Sequence, residues 1–400
     1  MWICCAIFIL FSAIAPNSSE EKMDSKAISS TIAGFAAKFC NELEKGKSVV
    51  SSPLSAEFLL GLLTLATEDP SHSELLTALG LPDDESIRSA FLDVSTKVKG
   101  IKGVTLNVAN KVYIKEGNYQ LHPKLHEDAV KVFDAAMEKV DFCKNVEAVN
   151  NINTWVESKT NNKIKNLLTE DSVDQFTRLV LVNAIYFKGQ WMNKFDANLT
   201  MDKPFHVSAS STIQVPMMYR EDKYRLGLSE ALNAQLLEIP YMGGEASMLI
   251  VLPQEIEGLN DVLQKLAGGH DLMEEVAKMY STKVQVTIPK FRIETEIDLK
   301  KLLPKLGINA IFKEECNGLT KLLDNDEPLV VSKAVQKAFI EVNEEGAEAA
   351  AATAGVVRAR RSLPDEFVAD RPALWCVMVQ HHVAFVGVYR PTQASPRDEL

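Results

Sequence analysis

Three arginines within four residues, Arg358, Arg360 and Arg361, followed by Ser362, Leu363 and Pro364, are the most chemically pointed stretch of the chain. Each guanidinium is a planar donor fork that can pair bidentately with a carboxylate, a geometry lysine does not reproduce. A protease with carboxylate-lined pockets would find bait there. The preceding stretch is as unusual: Glu344-Glu345-Gly346-Ala347-Glu348, then Ala349, Ala350, Ala351, Ala352, Thr353, Ala354 and Gly355. Alanine is the best helix former, so an alanine-rich helix is the bland reading. Yet the run follows an alternating segment directly, carries no apolar face to pack, and leads into Gly355. Side chains this small let a segment lie as a loop or slide between neighbouring strands without steric cost. A loop ending in protease bait is the functional expectation.

Other chemistry is sparse. No GxSxG, HExxH, P-loop or GxGxxG occurs and the seven histidines are scattered, so the chain is expected not to be an enzyme and to need no cofactor. His122 and His126 have the spacing of helical metal ligands but lack a third; a solvated helix start is the expectation. His381-His382 reads as a turn, and Lys97, Lys99 and Lys102 as a solvated face too small for a polyanion cofactor. Beyond Cys4 and Cys5, the cysteines Cys40, Cys143, Cys316 and Cys376 form no CxxC pair and are expected to be mostly buried thiols.

The elements that must position the loop show in the periodicity. Ile28, Ile32, Phe35, Phe39 and Leu43 recur at helical spacing up to Gly46. Ser52-Pro53 starts a second helix, with serine as N-cap and proline in the first turn. Segment 148–168, with Ile152, Trp155, Ile164 and Leu167, reads as another. Then the texture changes: Arg178 to Phe187, Met248 to Leu252 and Val284 to Ile288 are β-rich apolar runs. Segment 329–343 alternates, with Ala334, Gln336, Ala338, Ile340 and Val342 on one face. Gln336 on that apolar face should need buried hydrogen-bond partners. Helices early and strands late argue for one α+β domain.

Length and balance agree. Four hundred residues, 46% apolar and 24% charged, exclude global disorder, and 43 basic against 54 acidic residues give −11. That balance lacks the footprint of a nucleic-acid binder and favours encounter with basic partners. Both ends carry addresses. Residues 1–15 read as a signal peptide, too short for a comfortable membrane span; no other stretch could cross a bilayer. The final Arg397-Asp398-Glu399-Leu400 resembles the KDEL and HDEL signals by which a receptor retrieves proteins to the endoplasmic reticulum. The lumen of that compartment, with part of the protein secreted, is the expected location. Asn17 and Asn198 head sequons for N-glycosylation there.

From about residue 25 to 391 the chain resembles the serpin family. The resemblance rests on Ser52-Pro53-Leu54-Ser55; Asn183 to Gly189 with Trp191; Val215-Pro216-Met217-Met218; Leu249 to Pro253; Ile288-Pro289-Lys290-Phe291; and the hinge Asn343-Glu344-Glu345-Gly346. Invertebrate members look most similar, and the loop and tail resemble those of endoplasmic-reticulum-retained members directed at furin-like convertases. The resemblance implies a monomeric single domain with three sheets, eight or nine helices and a reactive loop over about 344–369, leaving 392–400 as the tail. It implies that a serine protease cuts the loop, is held as an acyl-enzyme, and is trapped when the severed arm, from the hinge Glu344–Thr353, inserts into the main sheet. Ser52, Ser55, Asn183 and Gln336 would form a polar cluster beneath that sheet. The family usually has histidine where Gln336 stands, so this cluster would not titrate.

Counting from Gly346 puts the bait at Arg360, and counting back from Pro372 puts it at Arg361. Arg358-x-Arg360-Arg361 looks like the consensus of furin-like convertases; a trypsin-like target would need one arginine only. A non-inhibitory relative, acting as a binding protein or chaperone, is a further reading.

Overall fold

The computed structural model describes residues 23–316, 318–324, 329–345 and 364–392. Helix α1 (Ser25–Asn41) is capped by Asp24, whose side chain accepts from the Ala27 N–H, and it buries Ile28, Ile32, Phe35 and Phe39. It stops before Gly46, which supplies the left-handed backbone (φ 117°) of the following turn. Next come β1 (Val49–Ser51), α2 (Pro53–Leu65), α3 (Ser71–Leu79) and α4 (Asp84–Val98). Strand β2 (Val104–Lys115), α5 (Pro123–Lys131), β3 (Ala135–Val140) and α6 (Asn145–Lys159) follow. The helix expected over 148–168 thus ends at Lys159. Asn161, Asn162 and Asn166 all take positive φ, and the apolar Ile164 and Leu167 are buried from an irregular segment instead.

The second half is β4 (Leu179–Gly189), β5 (Met201–Ser208), β6 (Ser211–Ser229), β7 (Ala234–Pro240) and β8 (Ala246–Pro253). After it come α7 (Leu259–Ala267), α8 (Leu272–Lys278), β9 (Tyr280–Pro289), β10 (Phe291–Asp298) and α9 (Leu299–Leu302). The chain closes with β11 (Val331–Val342), β12 (Asp365–Val368), β13 (Ala373–Val379) and β14 (His382–Tyr389). The result is the expected α+β fold, with nine α-helices among the described residues.

Five strands form one sheet in the order β10-β11-β4-β2-β3. The other nine form a continuous array, β1-β14-β13-β8-β7-β6-β9-β12, with β5 on β6. Its two halves are joined by the 19-residue β6, which pairs β5 along its first part, β9 from Met217 to Leu226 and β7 near its end. The expected third sheet is therefore the β5-β6-β9-β12 half of this array.

Every residue of α2 is buried, which explains why its apolar side chains run right round it rather than in a stripe. Helix α6 packs Ala148, Val149, Ile152 and Val156 over the opposite face of the five-stranded sheet, against Val182, Tyr186, Val335 and Phe339. His382 corrects the turn reading. Only His381 (φ 71°) is in the turn; His382 opens β14, fully buried, its Nδ1 3.1 Å from Ser29 Oγ. Cys40 and Cys376 are buried free thiols, as expected, whereas Cys143 is exposed. Among the described residues no helix is long and apolar enough to cross a membrane.

Candidate functional site

The five-stranded sheet contains a seam. Strand β11 runs parallel to β4 from Val331↔Leu179 to Ile340↔Phe187, while β10 and β2 flank this pair antiparallel. Parallel pairing is slightly less stable per residue than antiparallel. A strand following β11 and turning back between β11 and β4 would replace one parallel ladder by two antiparallel ones. The chain that follows β11 is the small-residue stretch beginning at Gly346. Glu345 stands just after β11 of this sheet, and Pro364 leads into β12, an edge strand of the nine-stranded array that among the described residues pairs only with β9.

The middle of the seam is bridged by amides. Register places Gln336 opposite Asn183, and Asn183 opposite Asn110 of β2, so three amides cross three strands in a row. Gln336, fully buried, donates through Nε2 to Asn183 Oδ1 (2.6 Å) and to the Ser52 carbonyl (2.9 Å). Its Oε1 accepts from Ser51 Oγ (2.5 Å) and the Ser52 N–H (3.0 Å). Asn183 Nδ2 donates to Ser55 Oγ (2.5 Å) and to Asn110 Oδ1. Ser55 Oγ donates to Asn110 Oδ1 at 3.1 Å, and Ser52 Oγ to the Ala384 carbonyl at 2.7 Å. Ser52, Ser55, Asn183 and Gln336, singled out from the sequence, are thus brought together. Because the start of α2 supplies Ser52 and Ser55, its proline-fixed N-terminus anchors the cluster to the core.

Two members were not foreseen. Ser51 precedes the recognised serine motif, and Asn110 is a polar residue on the alternating apolar face of β2 formed by Leu106, Val108, Val112 and Ile114; that break in pattern was its only sequence signal. Asn110 Nδ2 is buried without a partner. It lines an apolar cavity of about 40 Å³ beneath α4, with Leu54, Phe58, Val98 and Phe133.

At its end the seam is latched. Trp191 Nε1 donates to the Asn343 carbonyl (2.7 Å), and the Phe195 N–H donates to the Glu344 carbonyl (2.9 Å). The Glu344 carboxylate accepts from Thr200 Oγ1 (2.9 Å) and pairs with Lys290 Nζ (3.0 Å). Burial by itself would raise this carboxyl, but its own backbone N–H, Lys290 and Thr200 together hold it below the ordinary carboxylate range. The first hinge residue is therefore a fastening point. Glu345 is exposed, its N–H donating to Asn343 Oδ1 at 3.1 Å. The roles of Lys290 and Thr200 left no signal in the sequence, because both contacts join residues far apart in the chain.

Gly346 to Thr353, Arg358, Arg360, Arg361 and Ser362 lie outside the described residues, as do residues 1–15, Asn17 and Arg397 to Leu400. Asn198 is described and exposed. Among the described residues no group of three metal-binding side chains occurs.

A family model, serpin (serine protease inhibitor), matches residues 30–391. Antichymotrypsin-2 of Bombyx mori is 44% identical over 363 residues, 89% of this chain and 96% of that protein. Antitrypsin, also of Bombyx mori, is 43% identical over 362 residues, 89% of this chain and 92% of that one. The crystal structure of Serpin48, a highly specific serpin of the insect Tenebrio molitor, has a TM-score of 0.82 at 33% identity. It covers 93% of this chain and 100% of that one. These findings correct the flat expectation that the chain is simply not an enzyme. Inhibitors of the matched family act as suicide substrates, so the chemistry is covalent and shared with the protease, which supplies the catalytic groups.

Proposed function

The chain belongs to the serpin family of serine protease inhibitors, and we propose that it traps subtilisin-like proprotein convertases of the furin type at the Arg361-Ser362 bond. The protease serine oxygen attacks the Arg361 carbonyl carbon. The Arg361–Ser362 C–N bond breaks, the Ser362 amine leaves with a proton, and Arg361 remains as an ester on the protease. The freed arm from Gly346 then enters the β4–β11 seam, carrying the protease along before water can cleave the ester. Insertion releases strain stored in the native state, which is therefore not the free-energy minimum and persists because a barrier traps it kinetically.

The observation that carries the convertase reading is Arg358-x-Arg360-Arg361, three forks for a row of carboxylate pockets. A leader at one end and RDEL at the other support a site of action in the endoplasmic reticulum lumen, reached with the help of a retrieval receptor. A trypsin-like target, cut after Arg360 or Arg361, is the second reading; it needs only one arginine and agrees with the name of the antitrypsin relative. Arg358→Ala separates the two. It should slow furin trapping steeply and leave trypsin trapping unchanged; equal rates with furin before and after substitution would remove the convertase reading.

A further inference from the structure

We infer that Asn198 carries an N-linked glycan, and that this glycan covers the mouth of the β4–β11 seam against a second copy of the chain. The inference rests on the proposed passage through the secretory pathway. Asn198-Leu199-Thr200 is a sequon, and the structure gives it a place. Asn198 is exposed on a single 3-10 turn, Ala197–Leu199, and its Nδ2 donates only to the neighbouring Asp196 Oδ1 (3.0 Å). Nothing in the core depends on that amide.

The same strip of chain closes the seam. Trp191 and Phe195 hold the backbone of Asn343 and Glu344, and Thr200 holds the Glu344 carboxylate. Any strand entering between β4 and β11 from this end must displace these contacts, and Phe195 and Thr200 lie three and two residues from Asn198. The sequon threonine is therefore also a latch residue.

A second observation points the same way. Met192, Leu199 and Met201, on the same strip, are 46%, 43% and 54% exposed, and Met242, tied to it through the Gln190 carbonyl, is 43% exposed. These are among the few large apolar side chains left open to water. Exposed apolar surface beside an openable strand pair invites strand addition from another molecule, and a bulky hydrophilic glycan at Asn198 would stand over it. The chain's own arm enters at this same end, but it is tethered to β11 through Glu344, so its entry is intramolecular, whereas a second copy must approach across the exposed strip that carries Asn198.

The test is full-length chain expressed through the secretory pathway of insect cells, followed by intact mass and peptide mapping before and after enzymatic deglycosylation. Three variants accompany it. Asn198→Gln removes the sequon alone, Thr200→Ser keeps both sequon and hydroxyl, and Thr200→Val removes both. The expected result is glycan on Asn198 in the wild type and Thr200→Ser. On mild warming, Asn198→Gln should self-associate several-fold faster by size-exclusion chromatography while still forming covalent complex with protease. Enzymatic deglycosylation of folded wild type should reproduce that rate. Leader removal with a bare Asn198 overturns this inference alone, as does an occupied site whose loss leaves self-association unchanged. A retained leader, read from the intact mass, overturns the secretory reading together with it.

Discussion

Replacing Gln336 by leucine tests whether the amide bridge holds the seam shut. The side chain makes four buried hydrogen bonds, two of them to the Ser52 backbone and one across the seam to Asn183. Gln336→Leu leaves the Ser52 N–H, Ser51 Oγ and Asn183 Oδ1 without these partners. An orphaned buried polar group costs about 1–3 kcal/mol, and local relaxation recovers part, so the native form should lose roughly 2–5 kcal/mol. If insertion parts β11 from β4, the bridge is absent from the inserted form, which should lose far less. The assay is urea unfolding of the intact protein beside that of the loop-cleaved protein, with the stoichiometry of inhibition measured in parallel. The midpoint should fall steeply for the intact form and little for the cleaved form. Gln336→His, which can make only about two of the four bonds, should fall between and become pH-dependent. Equal destabilisation of intact and cleaved forms would refute the reasoning, because the bridge would then be ordinary core.

Three further outcomes follow from the same structure. His382 is buried with Nε2 unpartnered, and burial, followed by nearby Lys97, lowers its pKa to about 4; Asp93 and His381 also face it. Its unfolded form takes up a proton near pH 6.5, so the stabilisation is complete above that pH and is lost as pH falls towards 4. The loss amounts to roughly 3 kcal/mol, and thermal unfolding from pH 7 to 4 should show His382→Phe flattening the profile. Glu344→Gln removes the pair with Lys290, a half-exposed partner, so chemical unfolding at pH 7 should show a loss of no more than about 1 kcal/mol that shrinks with added salt. The Glu344 carboxylate is held below its ordinary range, so its contribution is present above the unfolded pKa and disappears as pH falls through the folded one; wild type and variant should converge in acid. Thr353→Arg should convert inhibitor to substrate, read as cleavage without complex, since a charge entering the seam would be buried.

What was legible in the sequence was legible for local reasons. Ser52-Pro53 announces a helix start because capping chemistry acts within one turn, and the apolar run of β4 announces a covered strand. Gln336 on an apolar face announced that it needed partners, although not which. The helix read over 148–168 failed where Asn161 and Asn162 take left-handed backbone; the apolar spacing of Ile164 and Leu167 continues past them for a different reason, burial of an irregular segment. His382 failed because adjacent histidines look solvated until β14 carries the second one inward against α1. Lys290 and Thr200 were silent as site residues because their partner Glu344 lies 54 and 144 positions away and only the folded chain brings them to it, while Asn110, 73 positions from Asn183, left no more than a polar break in the apolar face of β2.

The most direct test of the account mixes the mature chain with furin, and separately with trypsin, then resolves the products on denaturing gels and sequences the released C-terminal peptide. The account predicts a covalent band that survives denaturation, with furin, and a peptide beginning at Ser362. A band with trypsin alone would contradict the convertase target, and cleavage with no covalent band for either protease would contradict the trapping mechanism itself.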